Sequence, residues 1–254
     1  MDRLDASAIG FPGVEVRVVQ RCGSTNSVLL EEKSLACVLL AAEEQTSGRG
    51  RRGRRWHSAP GTGLTFSLAL QVKRPARELA GLSLAAGVAL CKALRALGVS
   101  RAALKWPNDL VVDGAKLGGI LVETRGAGAA TRAVIGVGIN CRRDAALALR
   151  LGRKPASLDQ FLSPQPSRNE LLKKIIPVLL ETLAAFEARG FEALRGEWET
   201  LDAHAGQRLR VRLAGGRVLT GVAAGLAEDG GLRLDTKRGV RAVRSGRVVS
   251  ARPA

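Results

Sequence analysis

Aromatic residues make up only 3% of this 254-residue chain, with no tyrosine at all, and it has one methionine, two histidines and four cysteines. Each scarcity excludes something. With only His57 and His204, a histidine-based metal centre is not expected. Cys22, Cys37, Cys91 and Cys141 form no C-x-x-C pair, which argues against a zinc ribbon or a redox motif. Three of them lie in apolar stretches and read as free buried thiols. No apolar run reaches the ~18 residues of a membrane-spanning helix. The opening Met1-Asp2-Arg3-Leu4-Asp5 lacks the apolar region of a secretory signal. A soluble cytoplasmic protein with no membrane partner is expected. Acidic residues are scarce as well: 23 Asp and Glu stand against 40 Lys and Arg, giving +17 and a pI of about 11.1. Such a field favours anionic partners without choosing among nucleic acid, phosphorylated small molecules, acidic proteins and membrane surfaces. Only nine of the basic residues are lysines, so much of the arginine reads as genomic bias on solvated surface. Arginine carries information where it is concentrated in a special backbone context.

What is present is a globular composition. Hydrophobic residues make up 46%, enough for a sizeable core, and the length fits one large domain or a large and a small one. Residues 14–19 alternate as a strand, and Ser24-Thr25-Asn26 after Gly23 reads as a helix start with a hydroxyl or Asn cap. Residues 37–42 and 64–72 read as strands, separated by a Gly- and Pro-containing loop at 48–61. Pro75 is expected to open a helix that Gly98 ends. Strands follow around Leu104, at 110–112, 119–123 and 133–139. Ser167-Arg168-Asn169-Glu170 is a capping-box pattern before a helix that Pro177 should kink. After residue 203 short alternating runs separated by Gly turns predict a barrel of about five strands. Strands and helices mix without regular βαβ alternation, so the class is α+β, with domains at 1–203 and 204–254.

Residues 48–56, Gly-Arg-Gly-Arg-Arg-Gly-Arg-Arg-Trp, contain G-x-G-x-x-G at Gly48, Gly50 and Gly53. A dinucleotide site needs a helix directly after the motif. Here Pro60, Gly61 and a strand follow, so that reading is rejected. An alternative is a loose RNA-binding Arg-Gly tract. Such tracts usually sit in tails, whereas this one lies between two strand signals. Glycines let backbone amides approach an anion, the arginines supply bidentate contacts, and Trp56 offers a flat face. A nucleotide phosphate is the favoured ligand of this segment.

The second unusual stretch is 105–123, Lys-Trp-Pro-Asn-Asp followed by Lys116-Leu117-Gly118-Gly119. A plain hairpin explains its turn residues, but leaves Lys116 beside small residues that would let a ligand lie against the strand. Residues 135–140, Ile-Gly-Val-Gly-Ile-Asn, offer a further site of close approach. Together these motifs, with Ser24-Thr25-Asn26 and Gln45, closely resemble the biotin protein ligases, from about residue 14 to the C-terminus.

The resemblance implies a class II synthetase-like catalytic domain with a mixed sheet, then a small SH3-like barrel. It implies that biotin and ATP, with Mg²⁺, give biotinyl-5′-AMP, and that a lysine of a biotin carboxyl carrier domain of a biotin-dependent carboxylase attacks it. By the same resemblance Ser24, Thr25, Asn26, Gln45, Gly48, Arg49, Gly50, Arg51, Gly118 and Gly119 surround biotin. Arg51, Arg52, Arg54, Trp56, Asn108, Lys116 and Asn140 surround ATP and the adenylate, with Trp56 on adenine. Arg51, Lys116 and Asp109 are the catalytic candidates. Asp109 orients or deprotonates the incoming lysine, or helps hold Mg²⁺; Lys105 and Asn108 read also as supports of the turn. Only about thirteen residues precede the first strand, so no DNA-binding domain and no DNA partner are expected. The resemblance also admits a homodimer. The alternatives are a basic nucleic-acid-binding protein and a lipoate or octanoyl transferase-like enzyme. The basic residues near the C-terminus fit either steering of an acidic carrier or genomic bias.

Overall fold

The computed structural model describes residues 2–57, 59–126 and 129–254. A short helix α1 (Ala6–Ile9) leads into β1 (Glu15–Cys22), α2 (Thr25–Glu31), β2 (Val38–Gln45) and β3 (Gly63–Val72). Then come α3 (Leu82–Ala96) and the strands β4 (Ala102–Lys105), β5 (Asp109–Val112), β6 (Ala115–Arg125) and β7 (Thr131–Asn140). Helices α4 (Ala145–Leu151), α5 (Arg168–Arg189) and α6 (Glu192–Thr200) complete the first unit. The seven strands form one sheet in the order β1-β2-β3-β7-β6-β5-β4, parallel only between β1 and β2. This is a mixed sheet.

Its layers follow from the alternation of side chains along the strands. Leu39 and Ala41 of β2, with Leu64, Phe66 and Leu68 of β3, face the helices α3 and α5 and join the main core. Val38 and Leu40 point the other way, where Leu29 of α2 covers them with Ala69 and Val134. A strand buried on both faces must be apolar throughout, which is why residues 37–42 lack polar residues.

The helices differ in part from expectation. Pro75 does not open α3; it precedes a single 3-10 turn, Ala76–Glu78, and the helix begins only at Leu82. Gly81 interrupts with φ +86, and glycine alone fits there, since a Cβ would lie 2.7 Å from Phe191. The capping box at Ser167 and Glu170 forms in both directions, and α5 runs through Pro177 as one helix. Cys91 and Cys141 are buried, but Cys22 and Cys37 are only half-buried; all four are free.

Residues 201–203 lie along β4: Leu104 N donates to Leu201 O and Ala203 N donates to Leu104 O. Beyond them, β8 (Arg208–Leu213), β9 (Val218–Leu226), β10 (Leu232–Thr236), β11 (Gly239–Val243) and β12 (Gly246–Arg252) make an antiparallel sheet ordered β11-β10-β9-β8-β12. Trp106 Nε1 donates to Gly230 O at 3.0 Å and ties this sheet to the turn after β4.

Candidate active site

The α2 side of the large sheet is left open over β6 and β7, and glycines make the floor there. Gly119 pairs with Gly138, and Leu121 with Gly136. At each of the three glycines a Cβ would collide with a different side chain. At Gly136 it would lie 2.2 Å from Asn26 Oδ1, at Gly138 2.3 Å from the Trp56 ring, and at Gly119 3.1 Å from Lys116 Nζ. The missing side chains are what let Asn26, Trp56 and Lys116 lie down on the sheet.

Asn26 sits at the start of α2. The helix N-cap is Ser24, as expected, but its side chain makes no capping bond. The orphan amide is satisfied from the next strand: Thr25 N donates to Gln45 Oε1 at 2.8 Å. Strand pairing places Gln45 there, opposite Cys22. The Asn26 amide donates to Leu121 O and Glu123 Oε2, and its Oδ1 lies 2.6 Å from Ser67 Oγ. Its hydrogen-bonding capacity is therefore spent on the wall, while the Gln45 amide nitrogen has no acceptor among the described residues.

A β-bulge creates the opposite wall. Between β5 and β6 the register shifts at Leu110/Val111, so that Leu110 faces Gly118 and Val111 faces Lys116. Leu117 is the extra residue. The shift returns Lys116 to the face that carries Asp109 and Gly119, three residues from Gly119 instead of two. Lys116 Nζ reaches Asp109 Oδ1 at 2.5 Å and lies 5.8 Å from the centre of the Trp56 ring.

The Arg-Gly segment is folded on itself. Arg49 and Arg55 bridge as in a hairpin, Gly50 N donates to Arg54 O at 2.7 Å, and Trp56 N donates to Gly48 O at 2.9 Å. Arg52 adopts φ +57, a left-handed conformation that costs a non-glycine residue on the order of 1 kcal/mol or more. Arg49 is held by both oxygens of Glu123 at 2.6 Å, so its charge is neutralised. Arg51, Arg52 and Arg54 have no acidic partner within ion-pair distance among the described residues. Burial first, then repulsion from Arg52 and Arg54, lowers the Arg51 pKa from its ordinary value, with Asp109 opposing.

One cleft brings together Ser24, Thr25, Asn26, Gln45, Arg49, Gly50, Arg51, Arg52, Arg54, Trp56, Asn108, Asp109, Lys116 and Gly119. Three candidates are placed elsewhere. Gly48 lies behind the loop, where a Cβ would sit 2.6 Å from Trp56 O; Gly118 packs on Gly138 O. Asn140 is buried, and its amide donates to Ala156 O and Lys116 O, so it braces the bulged strand and does not line the cleft. Asn108 lines the cleft, yet its amide is committed to Ile120 O at 2.6 Å.

Lys105, Arg153 and Arg247 also line the cleft and likewise have no ion-pair partner among the described residues. Burial lowers the Lys105 pKa, with Arg153, Arg247 and Lys116 adding to the effect and Asp109 opposing. The cleft thus joins a hydrogen-bonding, partly apolar end to a cationic end in which Asp109 is held by Lys116.

Two family models match: the Biotin/lipoate A/B protein ligase family over residues 19–140 and the Biotin protein ligase C terminal domain over residues 204–249. The bifunctional ligase/repressor BirA of Escherichia coli is 33% identical over 234 residues, 88% of this chain and 70% of that protein. The biotin–[acetyl-CoA-carboxylase] ligase of Mycobacterium tuberculosis is 32% identical over 266 aligned positions, 99% of this chain and 94% of that protein. This chain belongs to the biotin protein ligase family. The Aquifex aeolicus biotin protein ligase solved with biotin and ATP superposes with a TM-score of 0.80 at 28% identity, covering 94% of this chain and 99% of that one. The SH3-like C-terminal unit of the family is the five-stranded sheet of β8 to β12.

The sequence alone did not mark Glu123, Ser67, Arg153 and Arg247, which the structure places at or beside the cleft. Glu123 ends the second unusual stretch but was given no role there, Ser67 sits in an ordinary strand pattern, and Arg153 and Arg247 are two arginines among many. Only their distance to the cleft sets them apart.

Proposed function

We propose that this chain activates biotin with ATP to biotinyl-5′-AMP and pyrophosphate, and transfers the biotinyl group to a lysine of a biotin carboxyl carrier domain. The observation that carries this reading is the one cleft joining the Thr25–Gln45 wall to Arg51, Arg54 and Lys105, which have no ion-pair partner among the described residues, with Lys116 at their meeting point.

The bicyclic head of biotin fits the polar wall, where the Gln45 amide and the Ser24 hydroxyl remain for its ureido group. Its chain then runs over Leu121 and Gly136 toward Lys116. A carboxylate is ionised at neutral pH, so its oxygen attacks the α-phosphorus without a base, and the bond from phosphorus to pyrophosphate breaks. Two anions must meet for this. Arg51 and Lys116 stabilise the charge that grows on the phosphate oxygens, in a cleft where both are half-buried. Trp56 offers its ring to adenine from the glycine floor, and its Nε1, buried without a partner among the described residues, is a donor available to an acceptor.

A resident metal does not fit the donor set. Asp109 is the one carboxylate lining the cleft, it is bonded to Lys116, and no group of three potential metal ligands exists among the described residues. Mg²⁺ would enter on the triphosphate, with phosphate oxygens as its main ligands. Asp109 is assigned to holding Lys116 and to receiving the ammonium of the incoming lysine.

Exchange of [³²P]pyrophosphate into ATP tests the first step. Exchange that requires biotin, and is not supported by lipoate, is the expected result. Exchange driven equally by lipoate, or none with either acid, would sink the reading.

A further inference from the structure

The arginines of the C-terminal sheet are not scattered. Along β8, Arg208, Arg210 and Arg212 are exposed while Leu209 and Val211 between them are buried, so all three share the outer face. On such a face successive side chains stand about 7 Å apart. The neighbouring strand repeats the charge: Arg212 lies opposite Arg247 and Arg208 opposite Arg252. Like charges directly opposite destabilise a sheet, and none of these five has an acidic partner within ion-pair distance among the described residues. The carboxylate in the same row, Asp235, lies two strands away from Arg208.

This ladder has a direction. Arg247, one of its rungs, lines the adenylate cleft beside Arg153. Arg52 of the Arg-Gly loop reaches over to Ser245, two residues before Arg247, at 3.0 Å. The positive face therefore runs without a break from β12, the open edge of the sheet, into the mouth of the cleft. It also lacks any aromatic side chain, since none follows Trp198 in the sequence. Single-stranded nucleic acid is usually held by stacking on aromatics, so the face offers charge without a platform for bases.

We propose that the outer face of β8 and β12 is the docking surface for an acidic acceptor domain, and that it aims the acceptor lysine at the cleft. This rests on the ligase reading. In the transfer the acceptor ammonium first gives a proton to solvent, the neutral lysine nitrogen attacks the acyl carbon, the acyl–oxygen bond breaks, AMP leaves with the electron pair, and the new amide nitrogen loses its second proton to solvent. The surface contributes to encounter and orientation, not to that chemistry.

The test uses the full chain with Arg208, Arg210 and Arg252 all changed to Gln, and separately Arg210→Glu. Pyrophosphate exchange, which needs no acceptor, should be unchanged in both. Transfer to a purified acidic carrier domain at low salt should fall about tenfold in kcat/KM, mainly through KM, and its salt dependence should flatten. Equal transfer by wild type and both variants at low salt overturns the proposal. So does a wild type that binds a single-stranded oligonucleotide through these arginines while transfer stays unaffected. Should the triple variant fail to fold, Arg210→Glu decides alone. Absent exchange in the wild type would count against the ligase reading itself; normal exchange with unaffected transfer removes only the docking face.

Discussion

Arg168 and Arg51 are the same residue type with opposite surroundings. Arg168, at the start of α5, is 1% exposed and forks onto Glu43, with contacts at 2.7 and 3.1 Å, and also meets Asp2. Glu43 in turn accepts from Leu4 N. Each charged group there has an ionic partner inside the fold, although Arg168 Nε makes no hydrogen bond among the described residues, and the cluster pins the N-terminal segment between β2 and α5. Arg51 is half-buried in the cleft, next to Arg52 and Arg54, and the acid it feels, Asp109, already belongs to Lys116. A buried charge complete within the protein holds structure; a half-buried charge left incomplete is held in readiness for a ligand.

Breaking the complete site should cost stability and little else. Arg168→Met leaves Glu43 buried and unpaired, and should lower unfolding free energy by about 3–5 kcal/mol. Exchange per folded molecule should stay normal. Denaturant unfolding checks the first part, and a loss under about 1 kcal/mol would contradict the contrast.

The incomplete site should behave in reverse. Arg51→Ala is expected to reduce biotin-dependent exchange by about 10²–10³-fold, roughly 3–4 kcal/mol of transition-state stabilisation. Its melting temperature should hold or rise, because repulsion from Arg52 and Arg54 is relieved. Unchanged exchange would remove Arg51 from the chemistry.

A methyl group tests the floor between the two. Gly138→Ala places a Cβ where the Trp56 ring lies, and should lower ATP-dependent exchange on the order of 10–100-fold. Tryptophan fluorescence should report the displaced ring. Retained activity with a shifted spectrum would show that the position of the Trp56 ring does not matter to the reaction.

The smallest effect concerns the junction beside β4. Burial, with Glu199 adding to it, raises the Asp202 carboxyl to about 6 although it accepts from His204 N; burial and Lys105 lower His204 to about 4. Asp202 is thus charged at a cost above pH 6, and protonating it adds stability as pH falls from about 6 toward 3.8. His204 acts oppositely: its stabilisation is full above pH 6.5 and is lost as pH falls through about 4. Asp202→Asn separates them. The variant should gain about 1 kcal/mol above pH 6, and the gain should vanish below about pH 4. A gain that persists at low pH would mean packing and not charge.

Strand after strand was legible because period-two alternation and flanking glycines are local. Residues 64–72 and 133–139 appear almost as read. The capping box at Ser167 and Glu170 was legible for the same reason. Pro75 misled because the chain breaks at Gly81, where the backbone is left-handed and packs so close to Phe191, 110 positions away in sequence, that no side chain fits. The site motifs were visible as unusual residues, yet Asn140 looked no different from Asn108, and neither showed that its amide would be spent on a backbone carbonyl.

By itself the sequence determined the family, the α+β order of elements and the two motif-bearing segments, since each depends on neighbours in the chain. The tertiary structure alone decided which charges are complete. The bulge at Leu117 turns Lys116 onto the face of Asp109, and the β8–β12 register sets Arg212 against Arg247 at the cleft mouth. A single-residue shift in register reverses which way every side chain beyond it points, and no local pattern records that choice.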